Sequence, residues 1–461
     1  MATLAVPAAI AYDPYAWLVW GREIGRWQLD TTGGPSWKPL PVVGTALVAP
    51  FGGWAPALWL VVARTGALLA IVGTYRVAAR LVARGAVGSA GRAASRWAGA
   101  VAVGALVLSP DPGPRYVRLY LEGHSAPLTA ALTVWAIDRH LDGRHGAALV
   151  LGGLLALDRP EAWPFLAAYA VWVWRRDRRL RALVASVGIA VPALWFGPDW
   201  WGSGSPLNGA DSARVLTDDT HRALDGLRRV AETVIAPAWV AAGAAVVDGW
   251  RRRDRIVLGL AAGAAGWFVL VVAMGAALGY AALSRFLLPG AVVVCVLAGV
   301  GAVRVAARLR SRRAQVVAVV VLVVLVAPAV VWRATGIVGQ VDDVVTRDHQ
   351  VDDLDAAITA AGGDLAVEAC GRIAARDAGV PRVALAWKLD VPMADVATRP
   401  GRVPGTLFVP RPPAADSARE ARRVARRTGG AVEVAAVTRH WLVYRIDCEP
   451  GAGGGQSPGV D

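Results

Sequence analysis

Long stretches without a charged residue divide this chain. Residues 314–332, 286–303, 256–284 and 182–198 hold none, and a helix that crosses a bilayer needs about 17–25 predominantly apolar residues. Between the apolar stretches arginine gathers in five short clusters, at 76–96, 139–145, 175–181, 251–255 and 304–313. The intervening loops, such as 111–122 and 199–229, mix both signs. Cytoplasmic loops carry the excess of Lys and Arg, so the five clusters face the cytoplasm. Successive clusters are then joined by helical hairpins, while 39–75 brings the chain inward and 314–332 exports the C-terminus. With 1–12 as the end of a first helix, the pattern predicts a mainly α, polytopic membrane protein of about eleven transmembrane helices. On this map Arg92 and Arg179 are cytoplasmic, and Ser203 and Gln456 are extracytoplasmic.

Residues 1–12 span only about 18 Å as a helix, against a hydrocarbon core of about 30 Å. They carry no basic leader region, which argues against a secretory signal peptide. The expectation is a truncated first helix whose true start lies upstream. Two hairpins, 97–110 with 125–137 and 146–157 with 162–174, also have short arms, and their apices at 111–124 and 158–161 are polar. Charged groups at membrane depth are tolerated inside protein or against a water-filled cavity; the alternative is that the arms are longer and the charges reach the surface.

In 16–29, Trp17, Trp20, Ile24 and Trp27 recur at helical spacing among Arg22, Glu23 and Arg26. That spacing predicts an amphipathic helix on the outer membrane face. From about Arg333 the composition turns soluble. Helices are predicted at 352–361 and 418–427, strands at 364–369, 383–387 and 406–409, and a terminal hairpin from 432–437 and 441–446. Together they make a small extracytoplasmic α/β domain, 333–448, after a transmembrane domain, 1–332. The Gly-rich tail, 449–461, reads as disordered.

Composition agrees: 55% hydrophobic, 18% charged, mean hydropathy +0.44, where soluble domains average about 25% charged. The net charge of +14 is spread among the apolar stretches, with no basic arm or nucleic-acid module. The three cysteines show no metal-ligand spacing, and no cofactor is expected. Cys370 and Cys448 both lie in the part placed outside, where oxidation is permitted, beside predicted strands. A disulfide between them closes a loop of about 79 residues and contributes about 4 kcal/mol in the chain-entropy account.

A first-loop acid, Asp13, is followed by Lys38-Pro39-Leu40-Pro41, Phe51-Gly52, Arg64 and Tyr75-Arg76 ahead of Arg80-Leu81. Glu122-Gly123-His124-Ser125 supplies a second acidic position, and Ser284-Arg285-Phe286-Leu287-Leu288-Pro289 closes the series. Over about residues 10–305 this resembles the GT-C superfamily of membrane glycosyltransferases, especially the family 39/83 type, which includes protein O-mannosyltransferases and lipid A aminoarabinose transferases. Lys-Pro-Leu stands for that family's Lys-Pro-Pro-Leu, and Glu122 for its Asp. Arg159-Pro160-Glu161 stands where Lys-Gly-Pro is common, and is closer to actinobacterial arabinofuranosyltransferases.

The resemblance implies an inverting transfer of a sugar from a polyprenyl-phosphate donor to a cell-envelope glycan, glycolipid or protein outside the plasma membrane. The chemistry needs a general base for the acceptor hydroxyl, for which Asp13 and Glu122 are the candidates. It also needs cations for the departing phosphate. Lys38, Arg115, Arg118, His124, Arg159 and Arg285, with Glu161, lie on the outer side. Plain roles stand beside these. Arg115 and Arg118 are candidates for lipid headgroups, Arg159 for a carboxylate pair, and His124 for a structural hydrogen bond. Asp13 is a candidate N-cap before Pro14, and Asp158 with Glu161 a capping box. A lipid flippase or a non-catalytic scaffold are the other classes compatible with a polytopic chain.

Overall fold

A computed structural model of the chain describes residues 8–84, 88–109, 116–214, 222–280, 283–309, 311–399, 404–411 and 417–448. Arg115, Gln456, the tail from 449 and residues 1–7 of the expected first helix lie outside the described residues, and residues 8–11 of that expected helix are not helical, Ala11 being extended before the helix that begins at Tyr12. The chain forms two compact units. One comprises residues 36–41 and 59–340. The other gathers 8–35, 42–58 and 341–448.

The first unit is a helical bundle. Its central helix, Leu288–Ala306, is apolar and largely buried, and it packs against Gly88–Val107, Ala236–Arg252 and Arg255–Leu278. Glycine permits the close approach: a Cβ at Gly299 would stand 2.2 Å from the Ala98 carbonyl oxygen, and one at Gly301 1.8 Å from that of Ala241. Small residues at helix crossings serve this purpose in membrane bundles. Around this core lie Ala126–Leu141, His145–Asp158, Trp163–Arg176 and Arg181–Ser203.

Among the described residues, five helices are long and apolar enough to cross a bilayer: Pro39–Ala83, Arg178–Ser203, Arg255–Leu278, Leu288–Ala306 and Arg312–Ala360. A sixth results if Arg222–Glu232 and Ala236–Arg252, bent by 86°, count as one. In Arg312–Ala360 the side chains of Val316, Val317, Val320 to Leu325, Val330 and Val331 are exposed, in a stretch whose sequence holds no polar residue. An apolar surface of that length fits lipid. At 49 residues the helix is about 74 Å long, and it runs unbroken through position 332.

The second unit takes up the later half of that helix, where Val344, Val351, Leu354 and Ile358 form a buried stripe. Beside it stands a five-stranded sheet of order β2-β1-β3-β5-β4: β1 Arg372–Ala375, β2 Val396–Ala397, β3 Gly405–Pro410, β4 Val432–Val437 and β5 Trp441–Ile446. β1 lies parallel to β2 and β3, while β5 is antiparallel to β3 and β4. The helix and sheet meet through polar contacts. Asp353 accepts from the Thr438 hydroxyl at 2.6 Å and the His440 N–H at 2.7 Å, and the Trp441 indole donates to the Gln350 carbonyl at 2.7 Å. A disulfide joins Cys370 to Cys448, their Cα atoms 5.3 Å apart.

Three expectations are corrected here. Asp364–Ala369 and Val380–Lys388 are helices, not strands. The first opens with Asp364 after Gly363 at φ 83°, and the second carries Pro381 in its first turn, both good helix starts. The helix predicted on the membrane surface runs Tyr12–Gly25 and is mostly buried, Trp17 and Trp20 included. Of the three tryptophans in that spacing, only Trp27, just past the helix end, is exposed. Arg22 and Arg26 both bind Asp390, and Arg22 also donates to the Trp387 and Val391 carbonyls at 3.0 Å. The charges that suggested a solvent face therefore anchor the helix within its own unit.

Candidate functional site

The site in the helical unit is assembled from four chain segments. Lys38 follows Trp37, whose indole donates to the Leu194 carbonyl at 3.2 Å. Gly209 presses on Trp37 so closely that a Cβ there would stand 2.8 Å from the Trp37 nitrogen. Lys38 itself is buried and precedes the helix that begins at Pro39. The second segment is the turn after His145–Asp158, where Pro160 starts a single 3-10 turn. The third is another 3-10 turn, Ser284–Phe286, fixed by the Trp267 indole donating to the Phe286 carbonyl at 2.9 Å.

These three segments bring their cations around one aromatic ring. The Arg159 guanidinium lies 4.4 Å from the Phe286 centroid, that of Arg285 5.6 Å, and the Lys38 ammonium 6.0 Å. Cations favour the face of an aromatic ring, so Phe286 permits three positive charges to gather with reduced repulsion. Two carboxylates share the site. Asp158 is fully buried; its Oδ1 accepts from the Ser125 hydroxyl at 3.0 Å. Glu161 is buried as well, which raises its carboxyl above the usual range while Arg159 and then Lys38 pull it back. Asp158 Oδ2, Glu161 Oε2 and Arg159 Nε have no hydrogen-bond partner among the described residues.

The fourth segment, Glu122–Ser125, follows the short helix Tyr116–Leu121. Gly123 turns the chain at φ 69°, and its carbonyl accepts from the Trp59 indole at 2.9 Å. Glu122 is buried with both oxygens engaged: Arg118 donates to Oε1 at 2.7 Å, and His124 Nε2 lies 3.1 Å from Oε2. The Ser125–Asp158 bond ties this trio to the cation cluster. The structure thus gathers Lys38, Arg118, Glu122, His124, Arg159, Glu161 and Arg285. The capping-box alternative for Asp158 and Glu161 is not realised: Asp158 ends its helix and turns to Ser125.

Asp13 belongs to the other unit. It is buried in the first turn of Tyr12–Gly25, inside the helix and not at its N-cap position, which is Ala11. Sequence reasoning placed Asp158 in a polar apex or a capping box but gave it no role in a site, and missed Phe286 as a platform; the polar breaks at 158–161 and 284–285 were the available signals.

The helical unit holds an apolar cavity of about 500 Å³. It starts at Ala162, Trp267 and Pro289, sequence neighbours of Glu161 or contacts of the Phe286 turn, and extends to His140, Tyr169 and Arg255. Among the described residues, no group of three or more His, Cys, Asp or Glu side chains is placed to hold a metal.

No protein-family model matches the chain, and no curated protein matches it. Solved structures do. ArnT from Cupriavidus metallidurans in the apo state is similar with a TM-score of 0.59, at 16% identity over 99% of this chain and 96% of that one. The same protein bound to undecaprenyl phosphate gives 0.56, 15%, 99% and 97%. The likeness is one of fold.

Proposed function

We propose that the chain is an integral-membrane glycosyltransferase that moves a sugar from a polyprenyl-phosphate donor to an envelope glycan, lipid or protein. The observation that carries this reading is the gathering of Lys38, Arg159 and Arg285 around Phe286, in a unit whose apolar cavity is lined by Ala162, next to Glu161, and by Trp267, which holds the Phe286 carbonyl. A lipid phosphate needs both parts: cations for its oxygens and an apolar space for its chain. The solved relative in fold that binds undecaprenyl phosphate supports the same ligand class.

In the proposed reaction, the acceptor oxygen bonds to the anomeric carbon from the face opposite the phosphate. The carbon–oxygen bond to phosphate breaks, and its electron pair leaves with the phosphate oxygen. The acceptor proton passes to a carboxylate. Lys38, Arg159 and Arg285 stabilise the charge that develops on the phosphate, and such preorganised charge is a large share of catalysis. Glu122, already engaged by Arg118 and His124, is better suited to positioning than to taking the proton. Asp13, the first-loop acid, is assigned the proton. Residues 1–332 form the catalytic region in an eleven-span topology, and 333–448 an extracytoplasmic domain.

The test is transfer of labelled sugar from polyprenyl phosphate into a polar product by the purified protein. Asp13→Asn is expected to fold, to bind lipid and to lose about 10²–10⁴-fold in rate; Glu122→Gln is expected to lose less. If Asp13→Asn keeps transfer while Glu122→Gln is dead, the two roles are reversed. Label that crosses a bilayer still attached to its lipid identifies a flippase instead.

A further inference from the structure

The cation cluster contains more than a phosphate needs. Two of its residues are carboxylates, and buried polar atoms are nearly always hydrogen-bonded. Here Asp158 is 0% and Glu161 6% exposed, yet Asp158 Oδ2 and Glu161 Oε2 lack a partner among the described residues. Arg159, 2% exposed, leaves its Nε equally open. These atoms lie in the loop that carries the Arg159 guanidinium to Phe286, so whatever occupies the site must offer hydrogen-bond donors as well as an anion.

Resting on the reading of the site as a lipid-phosphate donor site, we infer that Asp158 and Glu161 recognise hydroxyl groups of a neutral donor sugar and select against an aminosugar. Two kinds of sugar group can donate to a carboxylate: a hydroxyl and an ammonium. Charge decides between them. The cluster holds three cations, Lys38, Arg159 and Arg285, against two carboxylates, Asp158 and Glu161. A sugar phosphodiester adds one negative charge and brings the sum to neutrality. An ammonium on the sugar returns it to positive in a buried site, where like charges repel more strongly than in water. Any proton taken up by Glu161 makes the site more positive and strengthens the selection. A uronic acid fails for the opposite reason, since its carboxylate meets two others and offers one donor fewer.

The experiment uses full-length protein and four donors on the same polyprenyl phosphate: arabinofuranosyl, mannosyl, 4-aminoarabinosyl and glucuronosyl. One of the two neutral donors is expected to exceed both charged ones in kcat/KM by at least tenfold. Asp158→Asn keeps an acceptor for Ser125, so its fold is retained. With Glu161→Gln, it is expected to lose roughly 10–100-fold on the neutral donor while binding sugar-free polyprenyl phosphate at least as tightly as the unaltered protein. Preference for the amino donor overturns the inference and leaves the glycosyltransferase reading standing. So does an unaltered kcat/KM in both variants. Transfer from none of the four donors overturns the reading and the inference with it.

Discussion

The two ends of helix Ala126–Leu141 treat buried acid in opposite ways. At one end, Asp138 is fully buried and gathers Arg76 at 3.4 Å, Arg80 at 3.0 Å and Arg139. Asp248 does the same with Arg252 at 2.9 Å, Arg304 at 3.2 Å and Arg308. Both carboxyl oxygens of each are engaged. At the other end, roughly 20 Å away along the helix, Asp158 reaches Ser125 with one oxygen and leaves the other open. Removing charge from water is costly unless partners replace it. The saturated ends are structural: they clamp arginine-rich helix termini. At the open end the polar atoms have no partner among the described residues, as the proposed donor site requires.

Among single substitutions, the largest loss of stability is expected at the saturated end. Asp138→Ala or Asp248→Ala should cost about 2–3 kcal/mol, less than for a fully buried pair because several of the arginines reach water. Thermal unfolding in detergent reads this, and transfer per folded molecule should stay unchanged. If Asp158→Asn destabilises as much as Asp138→Ala, the distinction between the two ends fails.

Glu23 sharpens the comparison from the other unit. It is buried, takes the Asp30 N–H on Oε2 at 3.0 Å and leaves Oε1 without a hydrogen-bond partner among the described residues. Burial pushes its carboxyl up to about 7, against the pull of that N–H and of Arg22. The folded state therefore holds a proton that the unfolded chain has released above about pH 4.5. Stability should fall as pH rises from there to about 7, by at most about 1.4 kcal/mol per pH unit, and level off beyond. Glu23→Gln should remove this slope; an unchanged pH profile would show that Glu23 titrates normally. Smallest is Phe286→Leu, which removes the shared aromatic face and should weaken polyprenyl-phosphate binding roughly fivefold.

Much of this was legible in the chain. The apolar runs and the hairpin 432–437 with 441–446 correspond to observed elements because their patterns are long or strictly placed. The cluster was legible as a set, since Lys38, Arg159 and Arg285 all sit at polar breaks between apolar runs. What escaped was pairing. Asp138 and Asp248 are single acids within helices and reveal their role only once distant arginines converge. The buried residues 383–386 form an apolar run that suits a strand or a helix equally, and tertiary packing made it a helix. Likewise the charges of Arg22 and Arg26 suggested a surface helix because Asp390, their partner, lies 364 residues or more away.

On the proposed reading, the open end of the bundle binds a lipid phosphate and the saturated end does not. Equilibrium binding of sugar-free polyprenyl phosphate to Arg159→Ala and Arg76→Ala separates the two ends. Arg159→Ala is expected to weaken binding at least tenfold, a typical cost for one charge-assisted contact, while Arg76→Ala leaves it unaltered. Equal losses in both variants, or none in Arg159→Ala, would contradict it.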